Sequence, residues 1–306
     1  LLQIDLPHFI VPYGEGYKNL NSCEYIWKRL AEHNAHRNTI ILCLGGGIIC
    51  DMGAFAGSCF QRGMRVILCP TSLLAMVDAS IGGKNGVNFL GFKNYIGGFN
   101  KPENIFICHE FLATLPSEEI VNGYVEMLKH GLIADKAHYD KVKVYFFNPN
   151  NRVNQELIAD SIAIKQNHVE QDFKDKGVRK RLNFGHTIGH AIESWSLSTS
   201  QENSELSHGV AVALGIIVES YISAKVLQMP KEQVDEITTV LQSVLKGIKK
   251  DLPDYQNLEP YLKKDKKNIG EEINFSLLES IGNCIENQFV SENIISEAIE
   301  YLHSVK

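Results

Sequence analysis

The 306-residue chain lacks paired cysteines, long apolar runs and a surplus of basic residues, and each absence argues against a class of protein. Its seven cysteines form no CxxC pair, which argues against a disulfide framework and for a reducing compartment. No run of 18 apolar residues occurs, so no membrane span is predicted. The net charge of -6 does not favour nucleic-acid binding. The first residues lack the pattern of a signal peptide, so a cytoplasmic location is expected.

The pattern of apolar residues changes near residue 115. Before it, strand-like runs alternate with helical segments, which predicts a parallel α/β sheet. A helix is predicted over 24–34, and strands over 39–44, 65–69 and 104–108. After Pro116, helices are predicted over 117–134, 153–173, 186–197, 209–227, 231–248 and 291–304. A polar loop near 200–207 and one strand-like stretch over 272–278 interrupt them. The predicted domains are therefore 1–115 and 116–306.

Glycines in the first domain favour an anion site. Gly45, Gly46 and Gly47 follow a predicted strand and precede a helix, where backbone N–H groups can meet a phosphate. This pattern is weak alone, because it is not GxGxxG and also suits a tight turn. Further on, Gly82 and Gly83 stand directly before Lys84, which resembles an anion cradle with a point charge. The alternative for Lys84 is an ordinary solvated lysine.

The strongest chemical signal lies in the second domain. His186 and His190 are four residues apart and share one helix face, and His208 follows at the start of another helix. Glu126 adds a carboxylate upstream. A carboxylate and two imidazoles form the ligand set of many catalytic zinc sites. Spacing alone does not choose two histidines out of the three, and the HExxH glutamate of metalloproteases is absent.

Several segments occur in the order found in one known family. They are GGGIICDMGAF, PTSLLAMVDASIGGKNGVN, KNYIGGF, LATLP, EMLKHGLIAD, RKRLNFGHTIGHAIE, SHGVAVALG and DKKN. In this set the chain resembles the dehydroquinate synthases, from about Pro12 to its end. The resemblance implies an N-terminal Rossmann-like α/β domain that binds NAD and an all-α C-terminal domain that binds a divalent metal, zinc or cobalt. Members ordinarily start further upstream, so part of the NAD-binding domain is expected to be missing.

The resemblance also assigns residues. It implies metal ligation by Glu126, His186 and His208, with His190 near the substrate phosphate instead. The expected NAD contacts are Glu15, Lys18, Gly46, Gly47, Asp51, Thr71, Ser72, Lys84, Lys93 and Thr114. The expected substrate contacts are Asp78, Lys84, Lys93, Asn94, Lys129, Lys165, Arg179, Asn183 and one of Lys266 and Lys267.

The implied activity is lyase chemistry on a sugar phosphate. The family converts 3-deoxy-arabino-heptulosonate 7-phosphate to 3-dehydroquinate and phosphate in the shikimate pathway, and recycles its NAD. Lysines and Arg179 suit the carboxylate and phosphate of that substrate. A homodimer is a family expectation, with no nucleic-acid or membrane partner.

Three positions depart from the family pattern. Ser72 replaces a threonine and keeps a hydroxyl, and Asn85 follows Lys84 where a threonine is usual. Val210 replaces a carboxylate near the metal, and loss of such an acid weakens metal affinity or changes ligand basicity. Three alternatives stay open: another sugar phosphate cyclase, a polyol dehydrogenase of the iron-dependent class, and a non-catalytic relic. The SIGGK segment favours the dehydroquinate branch.

Overall fold

A computed structural model of the chain describes residues 6–90, 92–148, 153–199, 205–245, 252–263 and 272–305. The chain divides into two compact units, Leu1–Leu115 and Pro116–Lys306.

A parallel sheet organises the first unit. Strand β1 (Ile40–Gly45) pairs with β2 (Arg65–Pro70), which also pairs with the short β5 (Asn104–Ile105). Two helices accompany the sheet, α1 (Leu20–Glu32) and α2 (Gly47–Cys59). The predicted parallel arrangement is thus present, but the strand predicted over 104–108 ends at residue 105. Phe106 N–H still donates to Leu68 O of β2, 2.8 Å, and the chain then enters a 3-10 helix at His109.

An antiparallel hairpin that sequence reasoning did not predict follows β2. A turn of π-helix leads to strand β3 (Lys84–Phe89), which pairs with β4 (Phe92–Phe99). Gly86 and Gly97 face each other across the pair. A Cβ on Gly86 would lie 2.6 Å from the carbonyl oxygen of Ile96, so the two backbones approach too closely for a side chain. The glycines of this hairpin are therefore needed for close pairing of the two strands, whether or not a ligand binds nearby.

The second unit is helical, as predicted. Its helices are α3 (Ser117–Ala134), α4 (Lys136–Phe147), α5 (Gln155–Gln171), α6 (His186–Thr199), α7 (His208–Leu227), α8 (Lys231–Leu245), α9 (Tyr255–Leu262) and α10 (Glu292–Val305). Sequence reasoning missed α4 and α9. Asp135 caps α4, since its Oδ1 accepts from the N–H groups of Ala137 and His138.

Helix α7 forms the core of this unit. It is long and apolar enough to cross a membrane by length and composition, but 67% of its apolar window is buried inside the protein. A hairpin, β6 (Ile273–Ser280) and β7 (Asn283–Val290), lies against α7 through the bond from Leu278 N–H to Ser223 Oγ, 3.0 Å. Only its first strand was predicted, so the hairpin adds a β element to the helical unit.

Acidification is expected to destabilise the second unit through His138. The ring is buried in α4, and this burial lowers the pKa of His138 below its ordinary 6.5 despite the nearby Asp160 and Asp135. Below pH 6.5 the ring of His138 is protonated in the unfolded chain but stays largely neutral in the folded protein. The free energy of unfolding therefore falls, by at most about 1.4 kcal/mol per pH unit.

Denaturant unfolding of the wild type and of His138→Leu at pH 7.5 and pH 5.5 measures this effect. The variant should lose less stability on acidification than the wild type. Equal losses would show that His138 does not contribute.

Candidate active site

Three helices of the second unit bring one carboxylate and two imidazoles together. Glu126 lies in the middle of α3, while His186 and His208 are the first residues of α6 and α7. Glu126 Oε1 lies 3.4 Å from His186 Nε2 and 3.3 Å from His208 Nε2. The carboxylate is 0% exposed, and both imidazoles are partly exposed. The Nε2 atoms of both partly exposed imidazoles thus lie next to the same buried oxygen, Glu126 Oε1.

This arrangement fits a divalent metal. The three ligand atoms lie within 4.8 Å of one another. A tetrahedral ion with bonds of about 2.1 Å separates its ligands by about 3.4 Å, which matches the two measured Oε1–Nε2 distances. Three protein ligands leave the fourth position of such a site for water or substrate.

The charges around Glu126 favour its ionised form, which is the form that binds a cation. Burial opposes ionisation of the carboxyl, but Lys129 and His186 hold the pKa of Glu126 well below its usual range. Burial and Lys129 lower the pKa of His186. Burial also disfavours the charged form of His208, yet Glu126 and Glu193 raise the pKa of His208 to about 10. Metal binding at His208 therefore displaces a proton.

Lys129 pairs with this carboxylate. Its Nζ lies 2.5 Å from Glu126 Oε2, and the side chain is only 1% exposed. In this structure Lys129, an expected substrate contact, forms an internal ion pair with Glu126 one turn away on the same helix.

His190 lies beside the ligand set on the exposed side. Its ring centroid is 5.1 Å from that of His186 and 6.1 Å from that of His208. His190, Glu193 and His208 form a second group whose ligand atoms also lie within 4.8 Å. Glu193 faces His208 Nδ1, the nitrogen opposite the one that faces Glu126. The geometry therefore offers His208 a metal on one side and a carboxylate on the other.

Buried polar side chains lock the three ligand helices together. Asn122 Oδ1 on α3 accepts from the N–H of Gly209, 2.8 Å, and from Ser207 Oγ, 2.9 Å, at the start of α7. Glu219 on α7 accepts from the N–H groups of Gly185, 2.6 Å, and Ile188, 3.0 Å, at the start of α6. Burial raises the pKa of Glu219 to about 8, although these donors favour its ionised form. Glu193 adds a further contact between α6 and His208, so polar bridges (Asn122, Glu193 and Glu219) join α7 to both α3 and α6.

The other described substrate contacts expected in this unit lie on α5 and on the 3-10 helix before α6. Lys165 is buried on α5. Arg179 and Asn183 belong to the 3-10 helix directly before Gly185, and Arg179 is buried with its Nη1 donating to Phe173 O, 2.7 Å. Lys266 and Lys267 lie outside the described residues.

In the first unit four of the ten expected NAD contacts form two pairs, Lys18 with Asp51 and Glu15 with Lys93. Lys18 is buried and its Nζ lies 2.6 Å from Asp51 Oδ2 on α2. Glu15 Oε1 accepts from Asn88 Nδ2, 2.8 Å, and lies 3.9 Å from Lys93 Nζ. Strand β3 thus holds the segment that carries Glu15 and Lys18, since Asn88 N–H also donates to Lys18 O.

The glycine turn lies where β1 and β2 end. Gly46 is the N-cap of α2 and has no side chain with which to cap it, so the first N–H groups of the helix suit an anion. A Cβ on Gly46 would lie 3.5 Å from Ser72 Oγ, and Thr71 N–H donates to Gly45 O. The turn and the end of β2 are therefore adjacent, as parallel strands require.

The remaining expected residues are placed as follows. Lys84 is exposed at the start of β3, after Gly82 and Gly83, which both have positive φ. Asn94, also at positive φ, donates its N–H to Asn88 Oδ1, 2.9 Å. Asp78 is half-buried in the π-helical turn, and Thr114 is exposed at the end of a 3-10 helix.

Two departures from the family pattern have structural roles. Asn85 is buried and its Nδ2 donates to Gly83 O, 3.3 Å, so it braces the turn before Lys84. Ser72 Oγ accepts from Ala75 N–H, 3.3 Å. Sequence reasoning missed Asn122, Glu193 and Glu219. The only sequence feature that could have indicated these residues is a polar side chain within an otherwise apolar helix face. It is clearest for Glu219 in GVAVALGIIVES.

Comparisons with known proteins cover nearly all of the chain. The family model for the 3-dehydroquinate synthase N-terminal region matches residues 8–122, and the model for the C-terminal region matches residues 123–268. A 3-dehydroquinate synthase of Parabacteroides distasonis is 41% identical over 296 residues, 96% of this chain and 83% of that protein. One of Campylobacter concisus is 38% identical, with 95% of this chain and 83% of that protein covered.

Solved structures confirm the predicted fold class. A 2-epi-5-epi-valiolone synthase of Streptomyces hygroscopicus, with NAD+ and Zn2+ bound, superposes with a TM-score of 0.87 at 21% identity, covering 96% of this chain and 82% of that one. A 2-deoxy-scyllo-inosose synthase in complex with carbaglucose-6-phosphate, NAD+ and Co2+ gives 0.79 at 24% identity, covering 94% and 81%. At these identities the likeness shows the fold alone. With both family models matched in chain order, the chain belongs to the 3-dehydroquinate synthase family.

Proposed function

We propose that this protein is a 3-dehydroquinate synthase that converts 3-deoxy-arabino-heptulosonate 7-phosphate to 3-dehydroquinate and inorganic phosphate, with NAD and a divalent metal. The cluster of Glu126, His186 and His208 carries the proposal. It unites three segments of the family pattern into one ligand set, and curated relatives of this name are similar over most of the chain.

When bound, NAD supplies a hydride acceptor and the metal supplies a Lewis acid. Glu126, His186 and His208 hold the metal, and the N-terminus of α2 after Gly46 receives the cofactor phosphates. Lys18 and Asp51 fix each other beside that turn.

Cationic, amide and carboxylate side chains are proposed to contact the substrate. Lysines and arginine are suited to its carboxylate and phosphate, and the exposed His190 beside the ligand set is proposed to meet the phosphate. The side chains proposed for these contacts are Asp78, Lys84, Lys93, Asn94, Lys129, Lys165, Arg179 and Asn183. The free state of all seven cysteines accords with a cytoplasmic enzyme, and a homodimer is part of the proposal.

The experiment follows phosphate and 3-dehydroquinate together. Protein loaded with zinc or cobalt receives the substrate with catalytic NAD, and parallel samples contain a chelator or lack NAD. Equal amounts of both products without accumulation of NADH are expected, with loss of both in the parallel samples. Protein that binds metal and NAD but releases no phosphate would contradict the proposal.

A second candidate is another sugar phosphate cyclase. Glucose 6-phosphate is the test substrate, because the carbaglucose-6-phosphate bound in the 2-deoxy-scyllo-inosose synthase structure is its carbocyclic analogue. Phosphate release from glucose 6-phosphate and none from the heptulosonate would establish this candidate.

A further inference from the structure

A buried carboxylate lies against His208 on the side away from Glu126. Glu193 Oε1 is 3.4 Å from His208 Nδ1, while Glu126 Oε1 is 3.3 Å from His208 Nε2. Glu193 is only 4% exposed, although it carries an ionisable group. The imidazole is therefore held between two carboxylates, one at each ring nitrogen.

The two carboxylates are not equivalent. Glu126 shares its Oε1 with His186 as well as His208, so it lies at the centre of a three-ligand set. Glu193 faces the nitrogen of His208 that points away from this set. An imidazole that binds a metal through Nε2 carries its proton on Nδ1, and that N–H requires an acceptor.

Val210, two residues after His208, supplies no hydrogen-bond acceptor from its side chain. The family pattern has a carboxylate at this position. Among the described residues, the carboxylates recorded against His208 are those of Glu126 and Glu193. Glu193 is thus the acid in position to orient the ring from behind.

We propose that Glu193 is a positioning residue that accepts the Nδ1 proton of His208 and directs Nε2 toward the metal. This inference rests on the proposed metal ligation by Glu126, His186 and His208. A metal-bound histidine depends on such an outer partner for its tautomer and ring orientation, and loss of the partner typically weakens metal affinity by roughly 10- to 100-fold.

Metal affinity of Glu193→Gln, measured by chelator competition with Zn2+ and with Co2+, tests the proposal. Gln keeps the shape of Glu193 but loses its charge. We expect affinity to fall roughly 10- to 100-fold, with an altered visible spectrum of the Co2+ form. The thermal midpoint of the metal-free protein should stay near that of the wild type. If the variant does not fold, Glu193→Asp, which withdraws the oxygen but keeps the charge, takes its place with the same expectation.

His190→Gln is the matched control, because His190 lies on the same helix and belongs to the second group of possible ligands. Its metal affinity should equal that of the wild type, with one metal per chain. If the wild type and Glu193→Gln bind metal with equal affinity, this inference is overturned and the proposed function is not affected. Weakening by both variants, or two metals per chain, would make Glu193 a ligand and overturn it as well. Failure of the wild type to bind metal would overturn the proposed function too.

Discussion

Replacement of Glu126 by glutamine is expected to remove metal binding and enzymatic activity together. Glu126 Oε1 is the shared neighbour of both ligand imidazoles, so its charge is central to the cation site. The loss of metal affinity should exceed the roughly 100-fold that removal of an outer partner costs. The metal-free protein should also lose about 3–5 kcal/mol of stability, because Lys129 is left as a buried cation without its counterion.

The double variant Glu126→Gln/Lys129→Met separates these two effects. It removes the buried cation along with the carboxylate, so stability should recover while metal binding stays lost. Denaturant unfolding of the metal-free proteins and metal titration of each provide the two measurements. A Glu126→Gln protein that keeps wild-type metal affinity would show that the site lies elsewhere.

Substitution of Gly215 by alanine is expected to separate α6 from α7. A Cβ at this position would overlap the carbonyl oxygen of Gly185 and lie 2.7 Å from the N–H nitrogen of Gly189. Both obstacles are backbone atoms, which cannot move aside as a flexible side chain can. We expect a loss of about 3 kcal/mol or more, at the upper end of overpacking effects, and a weaker metal site because Gly185 directly precedes His186.

Gly16→Ala is the control for this substitution. A Cβ on Gly16 would meet nothing within 4 Å, so the free energy of unfolding should change by no more than about 0.5 kcal/mol. Thermal and denaturant unfolding of both variants measure the difference. A Gly215→Ala protein within about 1 kcal/mol of the wild type would mean that the two helices can separate without cost.

Elements with a strong period were predictable from sequence. Helix α3 has the predicted bounds of 117–134, because its apolar face is continuous, and β1 and β2 lie where apolar runs end in glycine or proline. The β3–β4 hairpin was missed for a physical reason. Its glycines at 86 and 97 serve close backbone pairing, but the same residues beside Lys84 also suit a phosphate cradle.

The candidate site was only partly predictable. The i, i+4 pair of His186 and His190 indicated a metal, yet spacing could not say which histidines approach Glu126. Tertiary contacts decide this point, since His208 comes from another helix. Asn122 and Glu219 were beyond sequence reasoning because their partners lie 87 and 34 residues away along the chain. The roles of the individual residues stay predictions until the variants are measured.

The polar bridges formed by Asn122, Glu193 and Glu219 have a consequence for the supply of metal. Asn122 and Glu219 join the ligand helices by hydrogen bonds of the protein itself, and we expect these bonds to hold the helices together without an ion. Little of the binding energy is then spent on ordering the chain. Metal stabilises the enzyme by mass action alone, by about 1.4 kcal/mol for each tenfold rise in free ion above the dissociation constant. An enzyme built this way can survive a period of metal starvation in its folded state and regain activity as soon as the ion returns.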